Sequence, residues 1–312
     1  MLNITHILSS IRFPKLKLYF EQLPDGFEFF GVHLAFNGIL IACALIFGLF
    51  MAQWQAKRTK QQPEVYLDFT LYAIVCSFIG ARVFYVLFHW EEYQKNFLQV
   101  FNVRDGGLSI YGAIIAAIIT AKIYCKAKKY SFVLLTDTAV FGLLTGQVIG
   151  RFGNFFSREA FGCYTDGLFA MQIAQNDAGI DFICTVQNLV SRYDKQEQTF
   201  LNILEIRDKV VLLDGVRYIQ VHPLFLYEIV WNVSLLLFLF LYTNYKKFDG
   251  EILLLYLCGY GLGRVWIESL RIESFDLFGT GISIFQITAA IFVVISFLFL
   301  VLGWKRAYEK KK

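Results

Sequence analysis

Charged residues are scarce in this chain: 17% are Asp, Glu, Lys or Arg, where a soluble domain carries about a quarter. Proline is scarcer still, with 4, and none of the six cysteines forms a Cys-x-x-Cys pair. That spacing argues against a metal or redox centre, and the composition excludes a disulfide scaffold, a coiled coil and a disordered chain. No ten-residue alternation of polar and apolar residues recurs, so a transmembrane β-barrel is excluded as well. No internal repeat supports an inverted-repeat transporter. The first 30 residues lack a cleavable leader pattern, because Arg12, Lys15 and Lys17 stand where an apolar core would run. What the 312 residues hold instead is apolar: 57% are hydrophobic, 33 are Phe, and the mean hydropathy is +0.52.

Apolar runs fall at about residues 32–52, 66–88, 107–125, 131–153, 222–243, 251–270 and 283–304. Each is long enough to cross a bilayer as a helix of about 20 residues, and lipid-exposed backbone must satisfy its own hydrogen bonds. The expectation is an all-α integral membrane protein of seven transmembrane helices, with a small α+β insertion between the fourth and fifth. Residues 157–221 form that insertion. Within it, Val210 to Leu213 and Val216 to Val221 read as a β-hairpin about Asp214-Gly215. Residues 1–31 form an arm in which Ile11 to Phe20 reads as an amphipathic surface segment. Cys163 and Cys184 share the insertion, where an oxidising compartment allows them to pair.

Basic residues orient the spans. Lys57, Arg58 and Lys60 follow the first, Lys126, Lys128 and Lys129 the third, Lys246 and Lys247 the fifth, and Lys305, Arg306, Lys310, Lys311 and Lys312 the seventh. All these clusters share one side. They put the tail 305–312 in the cytosol, and the N-terminus with the insertion outside.

An ionisable group in the bilayer costs on the order of 2.5–3.5 kcal/mol, so each needs a reason. In this orientation Arg82, Arg151, Glu228, Arg264, Glu268, Tyr111 and His222 all lie toward the outer leaflet, and the inner halves are apolar. A channel or proton relay needs polar groups through the full thickness. A lipid head group needs them on one side, and arginine forks match phosphate. Tyr260, Arg264, Glu268 and Arg271 share one helix face at spacings of four, four and three. Gly259, Gly261 and Gly263 admit a neighbouring helix. A purely structural reading, an Arg264–Glu268 pair that locks the bundle, stays open here.

The segment GRFGNFFSREAFG at 150–162 crowds Arg151, Asn154, Ser157, Arg158, Glu159 and Gly162 at the end of an apolar run. Asn154 and Ser157 can donate to an oxygen-rich ligand, and Glu159 can orient Arg151 or Arg158. DGGLSIYG at 105–112 turns into the third span, with backbone amides near Gly107 and Ser109 able to meet phosphate. With GARVFYVLF at 80–88, HPLFLYE at 222–228 and GYGLGRVWIESLR at 259–271, these segments resemble the bacterial prolipoprotein diacylglyceryl transferase family over nearly the whole length.

The resemblance implies transfer of the diacylglyceryl group of phosphatidylglycerol to the lipobox cysteine thiol of preprolipoproteins. It implies a thioether product, release of glycerol phosphate, an inner-membrane location and no metal or other cofactor. By position it carries catalytic roles to Arg151, Glu159, Arg264 and Glu268, and Tyr111 stands where many members have His. Arg82, Gly107, Ser109, Asn154, Ser157, Gly162, His222, Glu228 and Tyr260 are expected to bind substrate. The competing readings are a small-solute transporter or flippase and a lipid-binding scaffold.

Overall fold

In a computed structural model of the protein, residues 9–94, 97–102, 106–175, 197–213, 215–272 and 283–310 are described. They fold into two compact units, one of residues 1–48 with 143–312 and one of 49–142.

The apolar runs become helices α1 (Phe36–Arg58), α2 (Pro63–Phe88), α3 (Ile110–Lys128) and α4 (Phe132–Ser157). After the insertion, which carries α5 (Glu197–Asp208), come α6 (Leu224–Tyr242), α7 (Glu251–Glu268) and α8 (Ile284–Glu309). Their ends follow local chemistry. Pro63 opens α2, where its missing N–H costs nothing. Ser283 and Gln286 form a reciprocal cap on α8. Arg158 and Ala160, both left-handed, turn the chain away from α4.

Among the described residues, α1, α2, α3, α4, α6 and α8 are long and apolar enough to cross a membrane. The seven-span expectation therefore meets six candidates. Helix α7 is the exception, because its 18 residues include Glu251, Arg264 and Glu268.

The expected small sheet of the insertion is present, and it takes in strands from the N-terminal arm as well. A five-stranded antiparallel sheet runs in the order β2-β1-β5-β7-β6, from β1 (Ser9–Phe13), β2 (Leu18–Leu23), β5 (Met171–Ala174), β6 (Val211–Leu213) and β7 (Val216–Val221). A separate hairpin joins β3 (Gly26–Phe29) to β4 (Val32–Ala35). The segment Ile11 to Phe20 supplies β1 and the start of β2, with Leu18, Tyr19 and Phe20 exposed. Ile11 and Phe13, two residues apart, face one side of a strand, and both are buried. They pack with Met171, Ile173, Ile219 and Val221, and with Ile203 and Ile206 of α5. The expected β6–β7 hairpin is present, with Leu213 opposite Val216 and Gly215 at φ +78°. Asp214 lies outside the described residues, as does Cys184 of the expected cysteine pair.

In the unit of residues 49–142, Tyr66, Leu135, Ala56 and Tyr124 form the core. A polar knot sits beside them. The Gln61 amide donates to Thr59 and Thr138, and accepts from the hydroxyls of Tyr66 and Tyr130.

Candidate active site

Three helices of the larger unit bring charge together near one set of ends. Arg151 lies six residues before the end of α4, Glu228 four after the start of α6, and Arg264 four before the end of α7. The Glu228 carboxylate, nearly inaccessible, pairs with Arg151 Nε through one oxygen and approaches Arg264 Nη1 at 3.5 Å through the other. Arg264 Nη2 lies 3.2 Å from Glu268 Oε2, which also lies 3.5 Å from Arg271 Nε. Glu268 Oε2 and Arg271 Nε are buried and lack aligned hydrogen bonds, so their contacts are ionic without being directional.

Three guanidinium groups face two carboxylates, leaving one positive charge in excess. Buried carboxylates are tolerable when paired, and an uncompensated one would cost several kcal/mol. Among the described residues, the terminal nitrogens of Arg151 have no partner. The cluster is therefore suited to a monoanion with several oxygens, such as a phosphodiester.

Backbone geometry locks these ends. Gly162 N donates to His222 O at 2.8 Å, Cys163 N to Leu270 O at 2.8 Å, and His222 N to Cys163 O at 3.0 Å. Gly162 also bridges to Arg271. A Cβ on Gly162 would strike the Leu270 carbonyl, so only glycine lets the three segments meet. Gly162 was expected to bind substrate. Its amide is committed to His222, which makes it a junction instead.

Beside the junction, His222 Nδ1 lies 3.0 Å from the Tyr227 hydroxyl. The Cys163 thiol is pushed up to about 11, first by burial and then by the Glu205 charge, so it stays protonated and unreactive.

The other expected residues divide. Tyr260 sits one turn before Arg264 and stacks on Tyr256 at 5.6 Å. Asn154 is half-buried near the end of α4, and Ser157 Oγ donates to Gly153 O at 3.2 Å, spending its proton on its own helix. Glu159 was expected to orient an arginine. The left-handed turn at Arg158 leaves it exposed, with no ion pair among the described residues, and Glu228 holds Arg151 instead.

Arg82, Gly107, Ser109 and Tyr111 belong to the unit of residues 49–142. Arg82 was expected to bind phosphate. Its guanidinium is spent on five backbone carbonyls, with Nε donating to Val100, Nη1 to Gly106 and Gly107, and Nη2 to Gln99 and Asn102. It is a clamp on the loop that leads to α3. Gly106 and Gly107 take the left-handed backbone this loop requires, and a Cβ on Gly107 would meet the clamp itself. Ser109 N donates to Ala81 O at 3.0 Å. Tyr111, in the first turn of α3, is 56% exposed.

Sequence reasoning left out Arg271 as a site residue, although it shares the helix-face spacing of Arg264 and Glu268. It also left out Gln147, four residues before Arg151, and Asn232, four after Glu228.

The profile of a family described as "Prolipoprotein diacylglyceryl transferase" matches residues 24–302. A Clostridioides difficile protein named phosphatidylglycerol–prolipoprotein diacylglyceryl transferase is 33% identical over 252 residues, 81% of this chain and 84% of its own. Proteins of the same name from Bacillus cytotoxicus (32% over 278 residues, 88% and 90%) and Synechocystis (34% over 271 residues, 84% and 84%) are similarly related.

Proposed function

The chain belongs to the prolipoprotein diacylglyceryl transferase family, and on that premise we infer that it is a membrane-embedded transferase moving the diacylglyceryl group of phosphatidylglycerol onto prolipoproteins. The observation that carries the site assignment is the ion cluster of Arg151, Glu228, Arg264, Glu268 and Arg271, with its one unbalanced positive charge. The acceptor is the thiol of a lipobox cysteine.

Sulfur displaces phosphate at a glycerol carbon. The thiol proton is lost to water, the sulfur–carbon bond forms, and the carbon–oxygen bond breaks with its electron pair leaving on glycerol phosphate. A free thiol has a pKa near 8.5, so a few per cent is thiolate near neutrality, and the surrounding guanidinium groups raise that fraction. The same groups meet the second negative charge that appears on the phosphate as it departs. Donors aimed at developing charge are worth on the order of 100- to 1000-fold each. Arg151 and Arg264 take this role, Glu228 and Glu268 hold them in place, and Asn154 donates to the head group.

Helix α7 completes a seventh crossing, because its charges are all answered within the protein. Glu251 accepts from the Tyr242 hydroxyl, from Trp304 and from the amides of Lys247 and Phe248, while Arg264 and Glu268 belong to the cluster. The protein lies in the bacterial inner membrane with its N-terminus outside and its C-terminus in the cytosol.

The test is direct. Purified protein is incubated with phosphatidylglycerol and a lipobox peptide. Mass spectrometry should find a thioether-linked diacylglyceryl peptide that is absent when the cysteine is replaced by serine. A product without phosphatidylglycerol dependence, or none at all, contradicts the reading.

A further inference from the structure

One turn deeper than the ion cluster, the same three helices carry a second polar layer, and every member is neutral. Gln147 precedes Arg151 by four residues on α4, Asn232 follows Glu228 by four on α6, and Tyr260 precedes Arg264 by four on α7. Residues four apart share a helix face about 6 Å apart along the axis. At this depth the helices still face one another, α4 to α7 through Gln147 and Tyr256, and α6 to α7 through Trp231 and Gly259.

This layer is incompletely satisfied. The Gln147 amide nitrogen reaches the Tyr256 hydroxyl at 3.0 Å, while its oxygen is buried without a partner. Turning the amide over exchanges the roles and still leaves one polar atom unpaired. Asn232 is buried, with 3% of its surface exposed. Tyr260, stacked on Tyr256, brings a second hydroxyl group to the same face. Buried polar atoms inside a membrane helix bundle are expensive unless partnered, so a half-satisfied Gln147 amide beside a phosphate-competent cluster points to a ligand.

We propose that Gln147, Asn232 and Tyr260 form a subsite for the ester carbonyls of the diacylglyceryl group. A diacyl glycerolipid carries those carbonyls a few bonds inward of its phosphate, and the subsite lies one helical turn inward of the arginines. The carbonyls are acceptors only. Asn232 and Tyr260 have donors to give them, Gln147 has them in the turned-over amide, whose oxygen accepts from the Tyr256 hydroxyl and whose NH2 is then free, and no charge in this layer would compete with the phosphate. The subsite deepens the transferase reading and rests on it. It separates recognition of the transferred group from recognition of the leaving group: neutral donors hold what is kept, and arginines hold what departs.

The experiment compares diester phosphatidylglycerol with a dialkyl ether analogue of the same head group and chain length, using a lipobox peptide as acceptor. The wild-type protein should turn over the diester with a kcat/KM higher by roughly three- to tenfold per hydrogen bond made. Gln147→Met and Asn232→Leu, which keep the volume and remove the amides, should bring the ester-to-ether ratio toward one, with KM for peptide unmoved. A wild-type ratio near one overturns the subsite even if neither variant can be purified. So do variants that slow both lipids equally, which marks a packing role, and variants that change only KM for peptide, which assigns the layer to the acceptor. Failure of the wild-type protein to modify the peptide with the diester would instead sink the transferase reading, which keeps the two failures distinct.

Discussion

A guanidinium carries five N–H groups, and the arginines of this protein spend them in two ways. Arg82 gives all of its donors to carbonyls of its own unit, so it is a structural clamp despite lying in a segment that resembles the family. Arg151 and Arg264 give theirs to two buried carboxylates and keep capacity in reserve. The difference sets different outcomes for substitution. Arg82→Lys leaves at least two carbonyls unanswered, because an ammonium has only three donors. The expected result is a loss of about 1–3 kcal/mol per orphaned group, read as a lower thermal midpoint in detergent. An unchanged midpoint with a raised KM for phosphatidylglycerol would return Arg82 to lipid binding.

Between helices, glycine decides how closely the charged faces approach. Trp231 Nε1 donates to Gly259 O at 2.9 Å, and a Cβ on Gly263 would land on the Trp231 indole, so α7 offers bare backbone to the side chains of α6. Gly261 faces the other way and meets Val293 and Ala289 of α8. Gly263→Val should therefore push α6 from α7, cost about 1–3 kcal/mol by overpacking, and lower kcat by separating Glu228 from Arg264. Stability and turnover both at wild-type levels would contradict this packing. These glycines, the helices and the Arg264–Glu268 pair were legible in the sequence because helical periodicity places them without knowledge of any partner. The strands at Ile11 and Phe13 were not, since their partner Ile173 is more than 150 residues away and two apolar residues among lysines suit either a strand or a surface segment. Glu228 as the counter-ion of Arg151 was hidden for a similar reason. Its distance along the chain says nothing, and Glu159, the near neighbour, was the natural but wrong partner.

For the molecule as a whole, the basic residues after α1, α3, α6 and α8 make a claim about direction. If α7 crosses the membrane, the number of spans is odd and the two ends of the chain lie on opposite sides. A single cysteine introduced by Lys305→Cys should react with a membrane-impermeant maleimide only after the cytosolic face is opened, and one introduced by Lys17→Cys should react in intact cells. Reaction of both from the same side would remove the seventh crossing. The central claim is that an excess of guanidinium charge at the ends of α4 and α7 stabilises the phosphate as it leaves. The most direct measurement is kcat for diacylglyceryl transfer by Arg151→Ala and Arg264→Ala, each first shown to keep its thermal midpoint within a few degrees of wild type. The account predicts a loss of about 100-fold or more in each variant; folded variants that turn over at the wild-type rate would contradict it.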